Sequence, residues 1–93
     1  MEQFQEIAIT GSAGNFYASL SPGVKYRIDI LGYFGSGSIS VFGSGPSDVP
    51  DISNITSPAG FEFCTACRAV KFMLSGGTGT NLTARIAPIR YSP

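Results

Sequence analysis

Apolar and polar positions alternate along this chain with a period of two. In VKYRIDILGYF, Val24, Tyr26, Ile28, Ile30 and Phe34 share one parity, and Lys25, Arg27, Asp29 and Tyr33 share the other. That is the signature of a half-buried strand. Gly32 falls on the inward parity and Leu31 on the outward one, so a bulge or a close backbone approach is expected at that point. NFYASL sets Phe16, Ala18 and Leu20 against Tyr17 and Ser19, and the SPG that follows, residues 21–23, is a turn signal. These two segments are expected to pair as a hairpin. RAVKFML sets Val70, Phe72 and Leu74 opposite Ala69, Lys71 and Met73, and NLTARIAP sets Leu82, Ala84 and Ile86 opposite Thr83, Arg85 and Ala87. Glycines in the intervening SGGTGT allow the positive φ of a tight connection, which predicts a second hairpin. FQEIAIT and FEFCT add two short strands, and residues 43–60, with Pro46, Pro50 and Pro58, read as a long crossing loop holding a short strand around Ile52 to Thr56.

The stretch GSGSISVFGSGPSDVP, residues 35–50, resembles a phosphate loop only in its glycine content. A dinucleotide fingerprint needs glycines at its first, third and sixth positions, and the sixth residue from Gly35 is Ser40. A Walker loop needs Gly-Lys, and Lys25 and Lys71 follow Val24 and Val70. Ile39 and Val41 alternate instead with Ser38, Ser40 and Phe42, so the segment reads as a hairpin return into another strand. Gly or Pro interrupts every window long enough for a helix. The expected fold is all-β, a single domain over residues 1–93. It is a small two-sheet β-sandwich of seven or eight strands, jelly-roll or immunoglobulin-like, with Ile28, Ile30, Phe72, Leu74, Leu82 and Ile86 in its core.

Composition adds an assembly signal. Charged residues make up 13% of the 93, about half the average share, hydrophobic residues reach 43%, and six basic residues balance six acidic ones. A domain this small, with so little charge, is expected to cover part of its surface with copies or partners. The outward apolar residues Leu31, Tyr33, Phe42 and Met73 are the candidate interface. Dispersed charges form no basic stripe, so nucleic acid is not an expected ligand. No apolar run approaches the length of a membrane span. MEQFQEIAIT has neither a basic start nor a long apolar core, so no secretory signal is expected and synthesis in the cytoplasm is.

Candidate chemistry is sparse. The chain has no histidine, the commonest general base and metal ligand. Asp48, Asp51 and Glu62 are the acids that convergence would have to bring together, and solvated acids are the simpler reading. CTAC, Cys64 to Cys67, supplies two of the four ligands of a zinc site. In a continuous strand its Cα atoms stand about 10 Å apart, beyond the roughly 7 Å limit of a disulfide. Reduced structural thiols rank first, a turn-strained disulfide second and a shared metal or redox role third. Tyr17, Tyr33, Phe42 and Tyr91 are outward aromatics or lie near the chain end, suited to packing or an interface and, less simply, to stacking on sugars. Asn54 and Asn81 head glycosylation sequons, read as incidental. No catalytic residue, metal or cofactor is expected.

VKYRIDILGYFGSGSISVF and CRAVKFMLSGGTGTNLTARIAPI, together spanning roughly residues 24–89, resemble a pattern of small virion proteins of tailed bacteriophages. There a strand ending in Gly-aromatic-Gly leads to a Ser- or Thr-rich strand, and a charged-aliphatic strand, a glycine turn and a final strand ending near a proline follow. The resemblance implies a non-enzymatic structural subunit of the virion. A capsid decoration protein comes first and a tail or neck component second. Its partners would be copies of itself, as a homotrimer, and a major capsid or other virion protein. The rival reading is a carbohydrate-binding module with Tyr17 and Tyr33 as its platform.

Overall fold

A computed structural model describes residues 5–21, 23–43, 52–64 and 68–89. They form eight strands and no helix: β1 (Gln5–Gly11), β2 (Gly14–Ser19), β3 (Lys25–Tyr33), β4 (Ser38–Phe42), β5 (Ile52–Ile55), β6 (Ala59–Cys64), β7 (Ala69–Ser75) and β8 (Thr80–Pro88). Two four-stranded antiparallel sheets pack face to face, sheet A in the order β1-β8-β3-β6 and sheet B in the order β2-β7-β4-β5. The expected β-sandwich is therefore present.

The pairing also decides between the two expected topologies. β1 pairs with β8, β2 with β7, β3 with β6 and β4 with β5. The chain is thus one long nested hairpin whose tip is β4 and β5, wrapped so that β3 meets β8 and β4 meets β7. An eight-stranded, two-sheet roll of this kind is a jelly roll. In an immunoglobulin-like sandwich several sequence neighbours share a sheet. Here β4 and β5 alone do so.

Three hairpin expectations are corrected by this topology. β2 and β3, β3 and β4, and β7 and β8 are joined by short turns, but the members of each pair lie in different sheets. The β3–β4 turn shows why. Gly35 and Ser36 have φ of 57° and 65°, and Gly37 N donates to Phe34 O at 2.8 Å. Two left-handed central residues are the chemistry of a tight hairpin turn, yet here the turn rounds a corner of the sandwich. The short strand expected around Ile52 to Thr56 is present. Ile52–Ile55 is a strand paired to β4, and β6 begins at Ala59 rather than Phe61.

Inward parity and burial agree closely. Ile28, Ile30 and Phe72 have no exposed surface, and Leu74, Leu82 and Ile86 are 1% exposed. Ile9, Ile39, Val41 and Val70 join them in one continuous cluster between the sheets. Gly32 shows the expected close approach: at φ 123° it leaves no room for a Cβ, which would strike the Asn81 carbonyl. One end of the sandwich is tied by its turns. Gly77 N donates to Ser12 O at 2.9 Å, Thr78 N to Gly35 O at 2.6 Å, and the buried Thr80 hydroxyl to Phe34 O at 2.7 Å. Three corners are thereby linked through backbone groups, satisfying polar atoms that the core would otherwise leave unpaired.

Phe72 lies at the centre of this core, and Phe72→Ala is expected to cost about 3–5 kcal/mol, a large share of the stability of a domain this size. Urea unfolding followed by circular dichroism measures this, and a midpoint equal to that of the wild type would remove Phe72 from the core.

Candidate interaction surfaces

Strand alternation sends the polar parity of each sheet outward, and the two outer faces differ in charge. The four strands of sheet A carry Glu6, Lys25, Arg27, Asp29, Glu62 and Arg85. The four strands of sheet B carry one charged residue, Lys71. On sheet A the charges are paired. Arg85 Nε stands 3.2 Å from Glu6 Oε2, Arg27 Nη2 3.2 Å from Asp29 Oδ1, and Lys25 Nζ 3.7 Å from Glu62 Oε1. These pairs face solvent, and each contributes no more than about 1 kcal/mol. Their main effect is to leave the face electrically balanced at short range.

The candidate interface residues divide between the two faces. Leu31 and Tyr33 lie on sheet A, opposite Thr83 and Asn81, and are 44% and 64% exposed. Phe42 and Met73 belong to sheet B. Met73 is half-buried between Asn15 and Ser40 in the ladder. Phe42, expected to be exposed, is 8% exposed and stands outside the core cluster. Its cross-strand partner Lys71 places Nζ 4.2 Å from the ring centroid. Parity sends Phe42 outward, but the Lys71 ammonium lies over the ring. On the other side of Lys71 stands Tyr17, 61% exposed. Tyr17, Lys71 and Phe42 thus form one row across β2, β7 and β4.

Tyr17 and Tyr33 occupy outer faces of different sheets. The two-tyrosine platform expected of a sugar-binding module is not formed. Tyr91, Asp48, Asp51 and residues 65–67 of the CTAC motif lie outside the described residues, as does the Cys64 side chain. Among the described residues no three His, Cys, Asp or Glu groups stand close enough to hold a metal. Among the described residues no helix is long and apolar enough to cross a membrane.

A cleft of about 490 Å³ is lined by Gln5, Ser19, Leu20, Ser21, Val24, Tyr26 and Pro88. Its polar groups already serve each other. Gln5 Nε2 donates to Ser19 O at 2.6 Å, and Ser21 N donates to the Tyr26 hydroxyl at 2.9 Å. Among the described residues no charged side chain lines it, so these offer neither an acid–base pair nor an anion clamp. The outer faces are the stronger candidates.

Known proteins provide no guide to these faces, because no family model, curated protein or solved structure matches the chain.

The lysine–aromatic row makes a specific prediction. Lys71→Ala is expected to lower stability by about 0.5–1 kcal/mol through the lost contact with Phe42, and Lys71→Arg to retain most of it. Urea midpoints of the two variants check this. Equal midpoints for Lys71→Ala and wild type would show that the ammonium contributes nothing over the ring.

Proposed function

We propose that the protein is a non-enzymatic virion structural subunit, a capsid decoration protein that stabilises a phage head through protein–protein contacts. In this reading it is made in the host cytoplasm and resides in the virion. The observation that carries the proposal is the contrast between its faces: sheet B has Lys71 as the one charge in its strands, with Tyr17 exposed beside it. A charge-poor outer face with an exposed aromatic suits burial against protein, since charged residues are depleted and aromatics enriched at the centres of interfaces. Zero net charge removes the long-range repulsion that keeps monomers apart.

The jelly roll is compatible with this role, being an architecture that capsid and lectin domains share, and fold by itself does not assign function. Placement on a head rather than a tail or neck, and assembly as a trimer, rest on the sequence resemblance to virion proteins. Copies of the chain would meet through the sheet B face, and a major capsid protein would be the second partner.

Two measurements test the reading. Light scattering coupled to size exclusion is expected to give a mass that is a multiple of three chains, against 9.7 kDa for one. The protein is also expected to co-sediment with phage heads, and Tyr17→Glu, which places a charge on the sheet B face, to reduce both. A strictly monomeric mass together with no binding to heads would overturn the proposal.

A further inference from the structure

Four strands lie at sheet edges: β1 and β6 in sheet A, β2 and β5 in sheet B. An open edge offers unpaired N–H and C=O groups to another chain, and folded proteins usually blunt it. β5 has only four residues, its register with β4 shifts, and Asn54 within it has φ 60°. β1 turns directly into β2, and the Gln5 amide reaches across to the Ser19 carbonyl. β6 is different. Its six residues keep an unbroken register with β3, from Lys25 opposite Cys64 to Ile30 opposite Ala59. It contains neither Pro nor Lys, and among the described residues it pairs with β3 alone.

We propose that this edge is a self-association site, where β6 pairs antiparallel with β6 of a second copy across a two-fold axis and joins two A sheets into one. Side-chain parity restricts the register, because outward residues must meet outward residues. Glu62 opposite Glu62 would stack like charges. Gly60 opposite Gly60 would place Glu62 against Pro58, which has no N–H to give a ladder. Phe61 opposite Phe61 sets Glu62 opposite Gly60 in both directions and brings two half-buried aromatic rings together as a cross-strand pair.

The chemistry above Gly60 fits that register. Arg27 lies across from Glu62 of its own chain, but its guanidinium turns instead toward Asp29, and Glu62 leans to Lys25. A Cβ built on Gly60 would strike Arg27 Nη2 and Asp29 Oδ1, so the paired guanidinium and carboxylate lie together over this residue. A carboxylate arriving opposite Gly60 therefore meets the Arg27–Asp29 pair, whose guanidinium keeps N–H donors beyond those turned to Asp29, and the two-fold axis makes this contact twice. The complementarity belongs to the chain's own sequence, which makes a second copy the fitting partner. The site is separate from the sheet B face and stands whether or not the protein belongs to a virion. Where a threefold contact also forms, the two-fold contact links two trimers.

Sedimentation velocity on the full chain tests the proposal. Wild type is expected to show an even-numbered species, and Glu62→Arg to halve its mass or weaken its association by about tenfold or more, since like charges across an interface cost several kcal/mol. Arg27→Glu is expected to act likewise, and the double variant Arg27→Glu, Glu62→Arg to restore association. Circular dichroism confirms that each variant folds. If one does not, hydrogen exchange on the wild type replaces it, with β6 amides expected to be more protected at high protein concentration than at low. A wild type that stays monomeric or purely odd-numbered up to hundreds of micromolar, a Glu62→Arg variant with unchanged association, or β6 exchange independent of concentration would overturn the proposal.

Discussion

Strand β8 lies between β1 and β3 and sets the register of both, and the rest of the fold depends on that placement. Leu82 faces Ile9 on one side and Gly32 on the other, and Ala84 faces Ile7 and Ile30. The first, third and last strands are thereby held together by one ladder, which turns the inward parity of each toward the same core. The approach at Gly32 is part of this, since a side chain there would strike the Asn81 backbone in β8. Pairings between residues so distant in sequence carry the loop-closure cost of a high contact order, so folding is expected to be slow for a chain this short.

From this arrangement follows the division of charge. Every strand charge other than Lys71 falls in sheet A, where neighbours of opposite sign satisfy one another across β1, β8, β3 and β6. Such pairs add little stability in water. In the proposed pairing of β6 they form a pattern that another copy would read, as at Gly60, where the absence of a side chain leaves room for the Arg27–Asp29 pair over the backbone. Sheet B presents the opposite character, a row of tyrosine, lysine and phenylalanine set among small polar residues. In the proposed readings, a small jelly roll with one patterned and one nearly uncharged face would meet protein in two ways, by edge and by face.

Much of this was legible from residue order, and what was not has a physical reason. Period-two alternation identified the buried residues because the parity of a strand is a local property that survives any choice of partner. Turn chemistry at Phe34 to Gly37 located a tight reversal for the same reason. Which strands pair is not local: a glycine turn with left-handed residues suits a hairpin and a sandwich corner equally, and three hairpins expected from sequence are corners. Phe42 shows a second limit. Its parity is outward, but burial also depends on the neighbour across the ladder, and Lys71 became that neighbour only when β4 met β7. The overlap of Arg27 with Gly60 likewise arises only from the pairing of β3 with β6.

The nested pairing is tested most directly by nuclear Overhauser contacts between backbone protons of neighbouring strands. Leu82 is expected to show cross-strand contacts to both Ile9 and Gly32, its partners on either side. Cross-strand contacts running between β7 and β8 across residues 75–80, with none from Leu82 to Ile9, would contradict the jelly roll and restore the local hairpin.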